Sequence, residues 1–220
     1  MTGTPGDRPL LLGHRGARAR KSIPENSVAS FDQALADGCD GFEFDVRRTA
    51  DGKAVICHDP HSEGVEIASS PARQCRGLLR LEDVLTRYQE RAFLDIELKV
   101  SGLETVTLTA LRDHPPRAGF VISSFLPQVV RALHAEAPEV PIGLICETRA
   151  QVSQWRHLPI EYVIPHHKLA GATLIREVKQ AGRKIVVWSV NSKAQMERFR
   201  EWGVDGIISD DTALLSRTLK

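Results

Sequence analysis

Strand-like and helix-like segments alternate along almost the whole chain, and that alternation constrains the fold more than any other feature. An apolar run at 10–12 is followed by an amphipathic stretch at 27–36 and a second strand-like run at 41–47. Further strand-like runs fall at 92–98, 119–123, 141–146, 161–164, 184–190 and 206–209, with a helical stretch after each. Eight such units joined by short connections imply a parallel sheet, because every helical crossover returns the chain in the same direction. Eight units favour an α/β fold of the TIM (β/α)8 barrel type over an open doubly wound sheet. A short extra strand at 54–57 and an irregular stretch at about 59–80 read as a short insertion after the second strand. No repeat or linker interrupts the pattern, so residues 1–220 are expected to form one barrel domain, slightly short for that fold.

The polar residues of two strands carry the chemistry. In the second strand Phe42, Phe44 and Val46 alternate with Glu43, Asp45 and Arg47. In the third, Leu94, Ile96 and Leu98 alternate with Asp95, Glu97 and Lys99. Side chains along a strand change face at every residue, so one face is apolar and covered by helices while the carboxylates share the other. In a barrel that polar face points inward, and Glu43, Asp45 and Glu97 can meet at its mouth. Two carboxylates about 7 Å apart along a strand repel unless a cation lies between them. Hard oxygen ligands of this kind suit Mg²⁺ or Ca²⁺.

Two histidines end strand-like runs, His14 after Leu10–Gly13 and His58 after Ala54–Cys57. Two imidazoles beside a divalent cation are the parts needed for general acid–base work on a phosphodiester. Arg15 and Lys99 supply cationic donors for phosphate oxygens. Trp188, inward and near the mouth, is a candidate to pack on the apolar part of a substrate. His166 and His167 are adjacent in an extended segment and are expected to point to opposite faces, which argues against a shared ion.

Composition excludes several other classes. A net charge of +1 gives no global field toward nucleic acid. No apolar run reaches membrane-span length, and residues 1–9 carry no apolar core of signal-peptide length, which points to the cytoplasm. Cys39, Cys57, Cys75 and Cys146 form no C-x-x-C pair and are expected to be free thiols, with Cys57 a small apolar filler. Neither a nucleotide-binding glycine loop nor a G-x-S-x-G elbow is present.

Taken together, GHRG at 13–16, PENS at 24–27, GFEFDVRRTADG at 41–52, VICHD at 55–59, LEDVL at 81–85, DIELK at 95–99 and VVWSVN at 186–191 resemble the glycerophosphodiester phosphodiesterase family. VDGIISDD at 204–211 resembles its last strand. The resemblance implies a barrel enzyme that hydrolyses glycerophosphodiesters to glycerol 3-phosphate and an alcohol. It implies a divalent metal at Glu43, Asp45 and Glu97, an acid–base pair at His14 and His58, and phosphate contacts at Arg15 and Lys99. It also implies attack on phosphorus by the substrate's own 2-hydroxyl, through a cyclic phosphate. The family carries a longer segment after the second histidine; the short stretch at 60–80 here implies a smaller cover over the glycerol end. Related barrels with phospholipase D-type activity on lysophospholipids or sphingomyelin share these residues, but 60–80 lacks the aromatic residues of a membrane-acting loop. A non-catalytic glycerophosphodiester-binding barrel would lack one of the histidines or carboxylates, and all are present. The implied partner is a small-molecule glycerophosphodiester, without nucleic acid or stable membrane insertion.

Overall fold

A computed structural model of the chain describes residues 8–220. The expectation that 1–9 carry no signal-type apolar core therefore lies almost wholly outside the described residues. Eight parallel strands close into a barrel: β1 (Leu10–His14), β2 (Gly41–Arg48), β3 (Phe93–Leu98), β4 (Phe120–Ser124), β5 (Ile142–Cys146), β6 (Tyr162–Pro165), β7 (Lys184–Val187) and β8 (Gly206–Ser209). Closure comes from β1, which pairs with β2 on one side and β8 on the other. Helices α1 (Val28–Ala36), α2 (Leu81–Tyr88), α3 (Glu104–Asp113), α4 (Pro127–Glu136), α5 (Arg149–Val152), α6 (Ala172–Gln180), α7 (Lys193–Glu201) and α8 (Thr212–Leu219) follow the strands in turn. This is the TIM barrel that the alternation predicts.

The period-two pattern sorts the strand residues into two cores. Outward side chains such as Phe42, Phe44, Leu94 and Ile96 join the helices in one large apolar cluster. A smaller cluster lies inside the barrel, built from Leu12, Phe93, Val121, Ile145, Tyr162, Ile164, Val186 and Ile208. The outer core is anchored at the start of α1. Ser27 caps that helix by accepting the Ser30 amide at 3.2 Å. Phe31 then stacks on Phe42 with ring centroids 4.2 Å apart, and Tyr88 of α2 meets Phe42 edge-on at 4.9 Å. Such aromatic pairs add about 0.5–1.5 kcal/mol beyond the area that they bury.

Register places the polar residues. Across β2 and β3, Glu43 lies opposite Asp95 and Asp45 opposite Glu97. Across β1 and β2, His14 lies opposite Glu43. Three neighbouring strands thus bring one histidine and four carboxylates to one end of the barrel.

The insertion has more structure than its sequence suggests. The strand Ala54–Ile56 runs antiparallel to the end of β2. A hairpin of His61–Ser62 and Val65–Glu66 follows, then two short 3₁₀ turns at Ile67–Ser69 and Ala72–Gln74. The hairpin turns on Glu63 and Gly64, both with positive φ (49° and 79°), the signature of a type I′ turn. Arms of two residues carry too little alternation to be read as strands.

Replacing Phe31 by Ala removes the ring at the centre of the outer aromatic cluster. Urea denaturation should show a loss of about 3–5 kcal/mol, with the far-UV circular dichroism of the native state unchanged.

Candidate active site

The carboxylates at the barrel mouth are held close together and buried. Oxygen atoms of Glu43, Asp45 and Glu97 all lie within 4.8 Å of one another, and none of the three residues is more than 6% exposed. Asp95 lies beneath them, fully buried, and accepts a hydrogen bond from Ser123 Oγ at 2.5 Å. Two cations answer four carboxylates. Lys99 Nζ lies 2.7 Å from Glu97 and 3.2 Å from Asp45, and Arg15 Nε lies 3.3 Å from Asp45.

Burial and this imbalance divide the carboxyl groups. Asp45 pays desolvation too, but Lys99 and Arg15 outweigh it and hold its carboxyl below the usual carboxylate range. Burial pushes Glu43 well up, helped by the neighbouring charges of Asp45, Glu97 and Asp95. Burial likewise pushes Asp95 and Glu97 up to about 7, the latter against the pull of Lys99.

The loop after β1 wraps the cluster from above. Arg15 has a left-handed backbone (φ 51°), which turns its own N–H onto Glu43 Oε2 at 3.0 Å. That conformation costs a non-glycine residue about 1–3 kcal/mol and persists where the surroundings enforce it. Gly16 follows with φ 84°, and a Cβ there would sit 2.4 Å from Ser30 Oγ, so only glycine lets the loop lie on α1. Asn26, also at positive φ (55°), donates from Nδ2 to Asp45 Oδ2 at 2.8 Å. Glu25 accepts from Arg15 Nη1 at 2.8 Å.

Both histidines stand at this mouth, each with a carboxylate on Nδ1. His14 Nδ1 lies 2.6 Å from Asp210 Oδ1, and His58 Nδ1 lies 2.7 Å from Asp59 Oδ1. A carboxylate on Nδ1 fixes the tautomer and leaves Nε2 free for chemistry. Arg47 Nε donates to the His58 carbonyl at 2.8 Å and secures the turn that carries the ring. Burial holds His58 below its ordinary value, against the pull of Asp45 and Asp59.

A cavity of about 330 Å³ opens here, lined by His14, Arg15, Glu43, His58, Asp95, Glu97, Lys99 and Trp188. Its far wall is Phe125, Ile145, Glu147, Ile164 and Ile208. Every site residue expected from the sequence lies on this cavity except Asp45, which sits behind it in contact with Lys99 and Arg15. Trp188 stands edge-on to Phe125 at 5.7 Å and donates from Nε1 to the Ile164 carbonyl at 2.9 Å, so its ring is fixed.

The histidine pair after β6 departs from expectation. His166 still bridges to Trp188 in parallel, but the chain turns at His167, and the two rings approach to 4.2 Å instead of pointing apart. No third ligand joins them among the described residues. All four cysteines are free, and burial pushes the Cys57 thiol up, away from nucleophilic use.

Sequence reasoning missed the partners that orient these groups. Asp210, Glu25 and Asn26 lie in motifs read for the family resemblance, yet their contacts depend on loop closure. Asp95 had a signal, since it shares the inward face with Glu97.

The donor set fits a hard divalent cation. Three carboxylate oxygens converge, and Glu43 Oε1 is buried without a hydrogen-bond partner. Such an orphaned carboxyl oxygen is costly unless a proton or a cation meets it. Glu43, Asp45 and Glu97 are the residues that would hold it.

Comparison with known proteins follows this geometry. The Glycerophosphoryl diester phosphodiesterase family matches the chain over residues 14–74 and 88–214. A glycerophosphodiester phosphodiesterase from Caldanaerobacter subterraneus subsp. tengcongensis is 30% identical over 94% of this chain and 96% of its own length. Among solved structures, a putative glycerophosphoryl diester phosphodiesterase from Silicibacter pomeroyi superposes with a TM-score of 0.87 at 20% identity, covering 97% of this chain and 95% of that one. A phosphodiesterase from Oleispira antarctica, solved with the product sn-glycerol-3-phosphate, superposes at 0.84 with 23% identity, covering 96% of each chain.

The raised carboxyls make cation-free stability depend on pH. A carboxyl titrating near 7 in the folded state holds its proton more tightly than the unfolded chain does. That stabilisation is complete below the ordinary carboxylate pKa and is lost as pH rises through about 7. In chelator, the melting temperature should therefore fall as pH rises from about 5 to about 8. Glu97→Gln should flatten that fall. Identical pH slopes for the two proteins would show that Glu97 ionises normally.

Proposed function

The chain belongs to the Glycerophosphoryl diester phosphodiesterase family, and we propose that it hydrolyses glycerophosphodiesters to glycerol 3-phosphate and an alcohol. One observation carries the reading: two imidazoles, each tied by a carboxylate at Nδ1, share a cavity with Glu43 and Glu97, behind which Asp45 completes the carboxylate cluster. The residues that perform acid–base chemistry on a phosphodiester are thus within one substrate's reach.

In this reading the substrate phosphate lies between the cluster and the histidines. Lys99 directs its ammonium at Glu97 and Asp45 and keeps a third donor for a phosphate oxygen. Arg15 holds its guanidinium over the same site, fixed by Glu25 and Asp45. Trp188 and Phe125 offer an apolar wall to the carbon skeleton. A divalent cation, Mg²⁺ or Ca²⁺, held by Glu43, Asp45 and Glu97 would supply positive charge against the phosphate as negative charge builds on it.

The residues then divide the proton transfers. One histidine takes the proton of the substrate's 2-hydroxyl as that oxygen bonds to phosphorus. The other gives a proton to the alcohol oxygen as its bond to phosphorus breaks, leaving a cyclic phosphate. Water then attacks phosphorus, and the two histidines exchange roles as the ring opens to glycerol 3-phosphate. Asp210 and Asp59 hold each imidazole in one tautomer and stabilise it while charged.

Three outcomes test the reading. His14→Ala and His58→Ala should each lower kcat by ~10²–10⁴-fold on glycerophosphocholine or glycerophosphoethanolamine. The double variant should be little worse than the worse single one, because groups acting as a unit are not additive. Near wild-type kcat in either single variant would remove that histidine from the mechanism.

Treatment with EDTA should abolish turnover, and Mg²⁺ or Ca²⁺ should restore it. Asp45→Asn should raise the cation concentration needed for half-maximal activity. Full turnover in metal-free buffer would exclude a role for the cluster in holding a cation.

A substrate analogue without the 2-hydroxyl should react far more slowly, although its phosphate and charge are the same. Rapid cleavage of it would instead support direct attack by water.

A further inference from the structure

Arg18 lies outside both the carboxylate cluster and the cavity lining, yet it bonds to the groups that orient two site residues. Its Nε donates to Glu25 Oε2 at 2.9 Å, and its Nη1 donates to Asp210 Oδ1 at 3.2 Å. Glu25 uses its other oxygen to hold Arg15, at 2.8 Å. Asp210 holds His14 Nδ1 at 2.6 Å on the very oxygen that Arg18 shares. His14 and Arg15 are adjacent in the chain, so these contacts form a closed ring: His14, Asp210, Arg18, Glu25, Arg15 and back through one peptide bond. The backbone reinforces it, since the Ala19 amide donates to the Asp210 carbonyl at 2.9 Å.

The chemistry of the link suits only a guanidinium. Its donors diverge from one rigid plane, so a single side chain reaches two carboxylates at once. A lysine carries the same charge at one point and lacks that fork. Arg18 also supplies the positive charge that lets Glu25 and Asp210 stand near one another. Without it, each carboxylate keeps its site partner, and Asp210 its two bonds to Asn191, but the bridge that sets one carboxylate against the other is lost.

We propose that Arg18 is a positioning residue that sets the mutual placement of the His14 imidazole and the Arg15 guanidinium. It does so by bridging Asp210 to Glu25, and this assignment rests on the phosphodiesterase reading given above. Small misplacements of reacting groups cost rate far more than they cost binding.

The test compares Arg18→Ala and Arg18→Lys with the wild-type enzyme on glycerophosphocholine, with thermal melts and proton NMR of the His14 ring N–H. Both variants should lose about tenfold in kcat while KM stays within about twofold. Their melting temperatures should remain close to wild type, and the His14 ring proton should exchange faster with water. Recovery of wild-type kcat in Arg18→Lys would overturn the proposal, because charge alone would then suffice. A rise in KM with kcat intact would also overturn it, and would mark Arg18 as a simple attractor for anionic substrate. If Arg18→Ala does not fold, Arg18→Lys, which keeps the charge and the aliphatic stem, decides the matter. If the wild-type protein hydrolyses no glycerophosphodiester, the functional reading fails, and the ring-proton exchange still decides whether Arg18 orders His14. An unchanged exchange rate in both variants would refute that role.

Discussion

Repulsion among buried carboxylates is the constraint on which the rest of this structure depends. Glu43, Asp45, Asp95 and Glu97 share the inside of two paired strands. At an effective dielectric of about 20, two unit charges some 5 Å apart repel by roughly 3–4 kcal/mol. Several such pairs rival the whole net stability of a domain. The arrangement persists because Lys99 and Arg15 lie within ion-pair distance and because part of the negative charge is removed by protonation at the raised carboxyls. A divalent ion would relieve the same imbalance without a proton. A cation bound there would be the counterpart of a fold that has placed too many anions in one spot.

The barrel tolerates this because stability is gathered elsewhere. The aromatic stack of Phe31, Phe42 and Tyr88 and most of the aliphatic core lie between sheet and helices. Inside the barrel the apolar cluster is small, and polar residues occupy the mouth. Each strand of the pair β2–β3 therefore serves two purposes on its two faces. The rigid outer layer fixes the strands, and the strands fix the charges.

What the sequence revealed follows from the same geometry. The inward set Glu43, Asp45 and Glu97 was legible because a strand has a fixed period and a barrel has an inside. His14 and His58 were legible because each follows an apolar run that stops. The groups that orient them were not legible, because their contacts cross the fold: His14 and Asp210 are separated by 196 positions and meet only when β8 closes on β1. The hairpin at His61–Ser62 and Val65–Glu66 escaped because its arms are two residues long and its turn begins with Glu63 rather than Asn or Asp. The approach of His166 to His167 escaped because the chain turns at His167, directly after the last sheet pairing at His166.

The two histidines stand on supports of different kinds. His14 ends a strand paired on both sides within the closed barrel. His58 follows the strand Ala54–Ile56, which lies outside the closed barrel, pairing with β2 on one edge and meeting only Leu79 and Arg80 on the other, with Ala54 and Ile56 in the outer core and Val55 packed with Ile67 and Cys75. A short insertion outside the closed ladder of the barrel is the kind of unit that opens by itself before the whole molecule unfolds. Such an opening would carry His58 away and leave Glu43, Asp45, Glu97 and Lys99 in place. On warming, the protein would then pass through a state that keeps its carboxylate cluster but has lost one of the two histidines of the proposed proton transfers. If the proposed division of labour holds, heat would silence the chemistry before it melts the barrel.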